Sequence, residues 1–132
     1  MEDMSSLAEA SLEQIADAVI YADATGMIMR WNHAAAALFG YSAAEALGQK
    51  LDLIIPEHLR AAHWRGFEAA PMGRPTLTRA THQTGRRLYV EMTFALVQGQ
   101  AGGAARGAVA IARDVTERTE QQRADARRDR PG

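Results

Sequence analysis

The sequence predicts an α+β fold in which a five-stranded antiparallel sheet carries short helices on one face. The main observation is the order of the apolar segments, which is two strand-like runs, several short helical stretches and then three strand-like runs. The 132 residues, 47% of them hydrophobic, suffice for one buried core. We therefore expect one domain at residues 15–116, preceded by an amphipathic helix at 1–14 and followed by a polar helix or tail at 117–132.

The N-terminal segment is predicted to be an amphipathic helix. Leu7, Leu12 and Ile15 recur at roughly helical spacing among alanine, glutamate and glutamine, which favour helix. The resulting apolar stripe has two interpretations. It either packs on the exposed face of the sheet in its own molecule or associates with a second copy of the chain.

The next two segments are predicted to be a β-hairpin and a short helix. Residues 18–21 and 27–31 are apolar runs, and the sequence Asp-Ala-Thr-Gly between them supplies turn residues. Asn32 is suited to cap the helix, because its side chain can accept a hydrogen bond from a free helical N–H group. Gly40 then ends this helix.

A second short helix and a longer one follow. Ser42 and Glu45 stand three residues apart, which is the spacing of a capping box at a helix start. Pro56 comes after the apolar segment 51–55, and proline is favoured in the first turn of a helix. We expect this longer helix to run to about residue 70, before a stretch of proline and glycine.

The second half of the chain contains the remaining three strands. Residues 77–82, 87–97 and 108–115 are strand-like stretches separated by glycine-containing turns. An antiparallel meander is their simplest arrangement. Beyond Val115 the sequence is almost entirely polar, which predicts a solvated helix or a frayed tail.

The composition argues against several classes of function. A formal net charge of −1 provides no overall positive field for nucleic acid. The absence of cysteine excludes disulfides, thiolate metal sites and cysteine–flavin photochemistry. The sequence has neither a basic leader nor an apolar run of about 18 residues, so we expect a cytoplasmic protein without a membrane span. Its carboxylates are scattered and form no recognisable triad, and we predict that it is not an enzyme.

An ordered series of residues carries a family likeness. Its members are Asp17, Asp23, Gly26, Trp31, Asn32, Phe39, Gly40, Glu45, Gly48, Pro56, Gly85, Glu91 and the segment 113–118. Over residues 12–118 the sequence thereby resembles the PAS family of sensory domains. The resemblance implies a pocket between sheet and helices that holds a small ligand or cofactor, in a module of a two-component system, cyclase or transcriptional regulator. The alternative that it implies is a ligand-independent dimerisation module, with a homodimer formed through the N-terminal helix.

Residues 59–67 resemble the helix that supplies the proximal haem ligand in oxygen-sensing PAS domains. His63, seven residues after Pro56, falls at the ligand position. A neutral imidazole can donate one ring nitrogen to the iron of haem b, which would sense oxygen or another gas or redox cue. The resemblance also implies a pocket lining, for which the expected residues are Leu59, Phe67, Arg74, Val90, Met92, Phe94 and Ile111. Arg79 and His82 are further candidates to meet the haem propionates.

His63 has a second interpretation that needs no metal. A histidine followed by Trp64 can pack at the boundary of helix and sheet with its ring nitrogens hydrogen-bonded. The pocket would then hold another small apolar ligand or be filled by side chains.

The segment Asp114, Val115, Thr116 matches the place where the last strand of PAS domains passes into an output helix. A short polar pair at this place can exchange hydrogen bonds with neighbouring backbone, so that a small strand shift reorients the helix. In the alternative, Asp114 and Thr116 only cap the following helix.

Overall fold

The computed structural model describes residues 4–59, 76–97 and 106–128. Five strands form one sheet in the order β2-β1-β5-β4-β3, and every neighbouring pair is antiparallel. The last strand along the chain therefore lies at the centre of the sheet. The strands are β1 (Ala18–Asp23), β2 (Ile28–Trp31), β3 (Thr76–Thr81), β4 (Arg87–Val97) and β5 (Gly107–Asp114). The predicted α+β class and the five-stranded antiparallel sheet are confirmed.

In the described residues, four α-helices and two short 3₁₀ turns accompany the sheet. The helices are α1 (Met4–Gln14), α2 (His33–Phe39), α3 (Ala43–Ala46) and α4 (Thr116–Arg128), and the turns are Leu51–Ile54 and Glu57–Leu59. The capping box of Ser42 and Glu45 is present at the start of α3. Of the longer helix expected after Pro56, only the start lies in the described residues, where it is a 3₁₀ turn. Residues 60–75 lie outside them.

The core lies between one face of the sheet, called the inner face here, and the helices α2 and α3. Its largest fully buried side chains are Ile20, Ile28, Phe39, Leu88 and Val90. The rings of Trp31 and Phe39 have their centroids 5.5 Å apart. Ala110 and Ala112 of β5 belong to the same buried cluster, so small side chains on the central strand are matched by large ones around them.

Asn32 joins three elements through one buried side chain. Its Oδ1 accepts from the backbone N–H of Ala35, which caps α2, and from the backbone N–H of Val19 in β1. Its Nδ2 donates to three carbonyl oxygens around the end of α1, those of Leu12, Ile15 and Asp17. The predicted cap is thus present, and the same amide also anchors the N-terminal helix to the domain.

The β3–β4 turn is attached to the end of α2. The backbone N–H of Gln83 donates to the carbonyl oxygen of Phe39 at 2.9 Å. Gly40 ends α2 with a φ of 84°, a conformation that glycine adopts without strain. A Cβ added to Gly40 would lie 2.5 Å from Cε1 of His82, so the His82 ring packs directly against this glycine.

The polar C-terminal segment is a helix. In α4 only Thr119 is buried, and the other twelve residues are at least partly exposed. The predicted solvated helix therefore has one contact face, which meets the sheet on its outer face, opposite the core. In the described part of the chain, no helix combines the length and the apolar character needed to cross a bilayer.

Candidate functional site

The inner face of β4 forms an apolar wall. Leu88, Val90 and Met92 alternate along the strand and are buried, and Phe94 is partly buried against the same cluster. Leu59, from the turn after Pro56, packs against this cluster as well. The wall has no charged side chain among these residues, so it suits a ligand with an apolar body.

Ile111 does not belong to this wall. It pairs with Val19 on one side and Thr93 on the other, and its side chain is 40% exposed. Because side chains alternate along a strand, Ala110 and Ala112 face the core and Ile111 faces outward. The segment Ala-Val-Ala-Ile-Ala is apolar at every position, so its pattern does not indicate which face is buried. The expectation that Ile111 lines the pocket is wrong.

Three of the expected pocket residues, His63, Phe67 and Arg74, lie outside the described residues. Two other expected residues are placed away from the wall. Arg79 pairs with Tyr89, an outward position of β4, and therefore lies on the outer face. The Nδ1 atom of His82 accepts from the backbone N–H of Thr84 and holds the β3–β4 turn.

A groove with a volume of about 900 Å³ lies between the end of α1, helix α2 and the ends of β1 and β5. Its floor includes Ala18, Ala34 and Ala112, and its rim includes Arg113 and Asp114. None of the five apolar wall residues Leu59, Leu88, Val90, Met92 and Phe94 lines it. The groove is thus distinct from the apolar wall.

The junction between β5 and α4 is fastened to β4 at one residue. The backbone N–H of Val115 donates to the carbonyl oxygen of Tyr89 at 2.9 Å. The hydroxyl of Thr116 accepts from the backbone N–H of Tyr89 at 2.9 Å and lies 3.3 Å from its carbonyl oxygen, to which it donates. Asp114 accepts from the backbone N–H of Thr116 at 2.9 Å, so it holds the first turn of α4.

Tyr89 is a functional residue that the sequence reasoning missed. It occupies an outward position between Leu88 and Val90, yet only 4% of it is exposed. The guanidinium carbon of Arg123 lies 5.0 Å from the centroid of its ring. Thr116 and Arg123, which both contact Tyr89, are seven residues apart and so lie on one face of α4.

The apolar stripe of the N-terminal segment is not fully covered in its own molecule. Leu7, Leu12 and Ile15 are 53%, 37% and 41% exposed. The helix is attached instead through Asn32 and through an ion pair of Glu9 with Arg30, with a nitrogen–oxygen distance of 3.1 Å. The stripe is therefore available to a partner.

Two carboxylates have perturbed acidity, and both stabilise turns. The Thr25 hydroxyl and the backbone N–H of Met27 donate to Asp23, which lowers the pKa of that carboxyl. The pKa of Glu45 is lowered by the backbone N–H of Ser42 in the capping box. Within residues 4–59, 76–97 and 106–128, no cluster of three or more histidine, aspartate or glutamate side chains could hold a metal ion.

The chain combines a sheet in the order β2-β1-β5-β4-β3, short helices over its inner face and a helix that leaves its central strand. The sequence profile of the family described as PAS fold matches residues 12–120. The chain belongs to the PAS family, and it is a sensory signalling domain of that family.

Relatives in sequence and many solved structures resemble the chain. A protein of Azorhizobium caulinodans is 33% identical over 123 residues, which cover 87% of this chain and 16% of that protein. The sensor protein FixL of Bradyrhizobium diazoefficiens is 42% identical over 52 residues, 39% of this chain and 10% of that protein. The crystal structure of a PAS domain from Colwellia psychrerythraea has a TM-score of 0.73 at 24% identity, covering 87% of this chain and 99% of that one, and supports the fold. The chain thus corresponds to a small part of the length of either relative.

Proposed function

We propose that this domain binds a small ligand or cofactor against the apolar inner face of β4 and passes the event to α4 through Asp114, Val115 and Thr116. The observation that carries the proposal is the attachment of Thr116 to both backbone groups of Tyr89. Tyr89 is flanked by Leu88 and Val90, whose side chains are fully buried on the inner face.

The relay follows from the geometry of a strand. Successive side chains of a strand point to opposite faces, and Tyr89 lies between the inward residues Leu88 and Val90. A ligand that displaces Val90 or Met92 on the inner face would therefore also displace the backbone of Tyr89. Because Thr116 is bonded to that backbone, the first residue of α4 moves with it. A ligand that favours one position of β4 would therefore shift the population of α4 orientations.

We propose haem b as the cofactor, with His63 as its proximal ligand. Leu59, Val90, Met92 and Phe94 supply an apolar surface of the kind that the porphyrin requires. When bound, haem b would supply an iron centre able to bind oxygen or another diatomic gas. Phe67 and Arg74 are further residues that the family likeness assigns to the pocket. The partial likeness to a protein named as a sensor supports the sensory role.

Absorbance spectroscopy tests the cofactor. The chain is expressed with haem supplied and purified, and we expect a Soret band that is lost or shifted in His63→Ala. His58→Ala is the matched control, because it removes an exposed histidine from the same segment. A wild-type protein without a Soret band, or a band that His63→Ala leaves unchanged, would overturn the haem proposal.

A second function, ligand-independent homodimerisation through α1, is favoured by the exposed stripe of Leu7, Leu12 and Ile15. Burial of these side chains against a second copy would remove apolar surface from water. We expect Leu12→Glu to shift sedimentation velocity profiles from dimer to monomer. Ala10→Glu adds the same charge about 160° around the helix from Leu12 and should leave the dimer intact. A wild-type chain that stays monomeric at high concentration would exclude this function.

A further inference from the structure

The burial of Tyr89 is unusual for its position. The residue points away from the core, on the face where Ile111 is largely exposed. The described contact that covers its ring is Arg123 of α4. A tyrosine on the outer face is therefore buried because α4 lies across it.

Helix α4 has few means of staying on the sheet. Thr119 is its one buried residue, so little apolar surface is removed from water by its docking. The ion pair of Arg118 with Glu91 has a nitrogen–oxygen distance of 3.6 Å and joins two exposed side chains, which makes it weak. The contacts that remain are made by Thr116, Thr119 and Arg123, which occupy one face of the helix.

We propose that Tyr89 is the positioning residue of α4, which it holds at two points, with its backbone at Thr116 and with its ring at Arg123. This inference rests on the proposed relay through Thr116 and extends it. One point of attachment leaves a helix free to pivot, whereas two points seven residues apart also set its direction. A displacement of β4 at Tyr89 is then transmitted as a defined rotation of α4, which a downstream partner can read.

The strength of the second attachment follows from its chemistry. Arg123 is itself exposed, and a guanidinium at an exposed site stabilises its contact with an aromatic face, and so the docked state, by about two- to fivefold in population. The contact is therefore weak enough for a ligand to break and strong enough to bias the helix. Phenylalanine keeps the aromatic face at position 89, whereas leucine keeps apolar bulk and removes it.

Amide hydrogen exchange of α4 in the whole 132-residue chain tests the inference. We expect Tyr89→Leu and Arg123→Gln each to speed exchange in α4 by about two- to fivefold. Tyr89→Phe and Arg123→Lys should stay close to wild type, and the double variant Tyr89→Leu/Arg123→Gln should be no faster than either single one. Arg127→Gln, which removes a similar charge elsewhere on α4, is the control.

Two results would overturn the inference. One is equal exchange in Tyr89→Leu and Tyr89→Phe, and the other is equal exchange in Arg123→Gln and Arg127→Gln. Neither depends on a bound ligand, so they leave the haem proposal untouched. The relay itself is tested separately by substitution of Thr116, which removes the hydrogen bonds of its hydroxyl to the Tyr89 backbone and keeps the ring contact.

Discussion

The hydroxyl of Thr116 is hydrogen-bonded to both the backbone N–H and the backbone carbonyl of Tyr89. A side chain in the first turn of α4 thus continues the β4–β5 ladder beyond the last pair of the sheet, Val90 with Asp114. The chain neighbours of Tyr89, Leu88 and Val90, are core residues. The first turn of α4 is therefore hydrogen-bonded to strand backbone that lies between two core side chains. This connection is the structural basis for treating α4 as the reporter of events in the core.

Substitution of Thr116 by valine should destabilise the junction. The variant keeps the shape of the side chain but leaves the N–H of Tyr89 without its acceptor, which costs about 1–3 kcal/mol. The carbonyl of Tyr89 loses the Thr116 hydroxyl but still accepts from the backbone N–H of Val115. We predict this loss in the free energy of unfolding by chemical denaturation, together with faster amide exchange in α4. Thr116→Ser retains the hydroxyl and should stay within about 0.5 kcal/mol of wild type. Equal stability of the valine and serine variants would contradict the role given to the hydroxyl.

Asn32 should be among the most sensitive positions of the chain. Asn32→Ala removes the cap of α2 and the donor to three carbonyl oxygens, and we predict a loss of about 2–4 kcal/mol in the free energy of unfolding. Asn32→Asp distinguishes the two contributions, since it keeps the capping oxygen and loses the Nδ2 donor. We expect the aspartate variant to be destabilised as well, with faster exchange in α1. An aspartate variant as stable as wild type would show that Asn32 acts only as a helix cap.

Gly40 and Gly48 form a matched pair for testing the attachment of the β3–β4 turn. Both have positive φ, 84° and 85°, but an added Cβ meets His82 only at Gly40, and at Gly48 it meets no atom within 4 Å. Gly48→Ala should cost about 1–2 kcal/mol from backbone strain alone. Gly40→Ala should cost more, because the His82 ring must also move. Thermal or chemical denaturation of the two variants measures the difference, and equal losses would argue against the contact.

Stability should fall in acid partly through Asp23. Its pKa is lowered by the hydrogen bonds from Thr25 and Met27, so its contribution is present above the ordinary value of 3.8 and is lost as pH falls through the folded-state value. We predict that the difference in the free energy of unfolding between wild type and Asp23→Asn narrows as the pH is taken below that ordinary value. Thr25→Ala removes the hydrogen bond that lowers the pKa of Asp23 most, and it should weaken the pH dependence of this difference. A difference in unfolding free energy between wild type and Asp23→Asn that does not change with pH would contradict this role of Asp23.

The fold could be predicted from local signals whose physics is short-ranged. Asn32, Gly40 and the pair Ser42 and Glu45 marked helix ends, because caps and positive φ depend on a few neighbouring residues. The features that could not be predicted depend on contacts between residues far apart in the chain. The face occupied by Ile111 was hidden because residues 108–112 of its strand are all apolar.

The role of Tyr89 was hidden for a related reason. It follows from the burial of an outward residue by a helix that begins 27 residues later in the chain. Nothing in the alternation of β4 indicates that α4 returns to the outer face at this point. The pairing of Tyr89 with Arg123 therefore had to be read from the structure.

The most direct test of the central claim compares amide exchange at Val115–Thr119 with and without saturating haem b, in wild type and in Thr116→Val. We predict that haem changes the exchange rates of these amides in the wild-type chain and that the change is largely lost in Thr116→Val, although haem still binds. Exchange that is indifferent to bound haem in wild type, or a response of the same size in both proteins, would contradict a relay through Thr116.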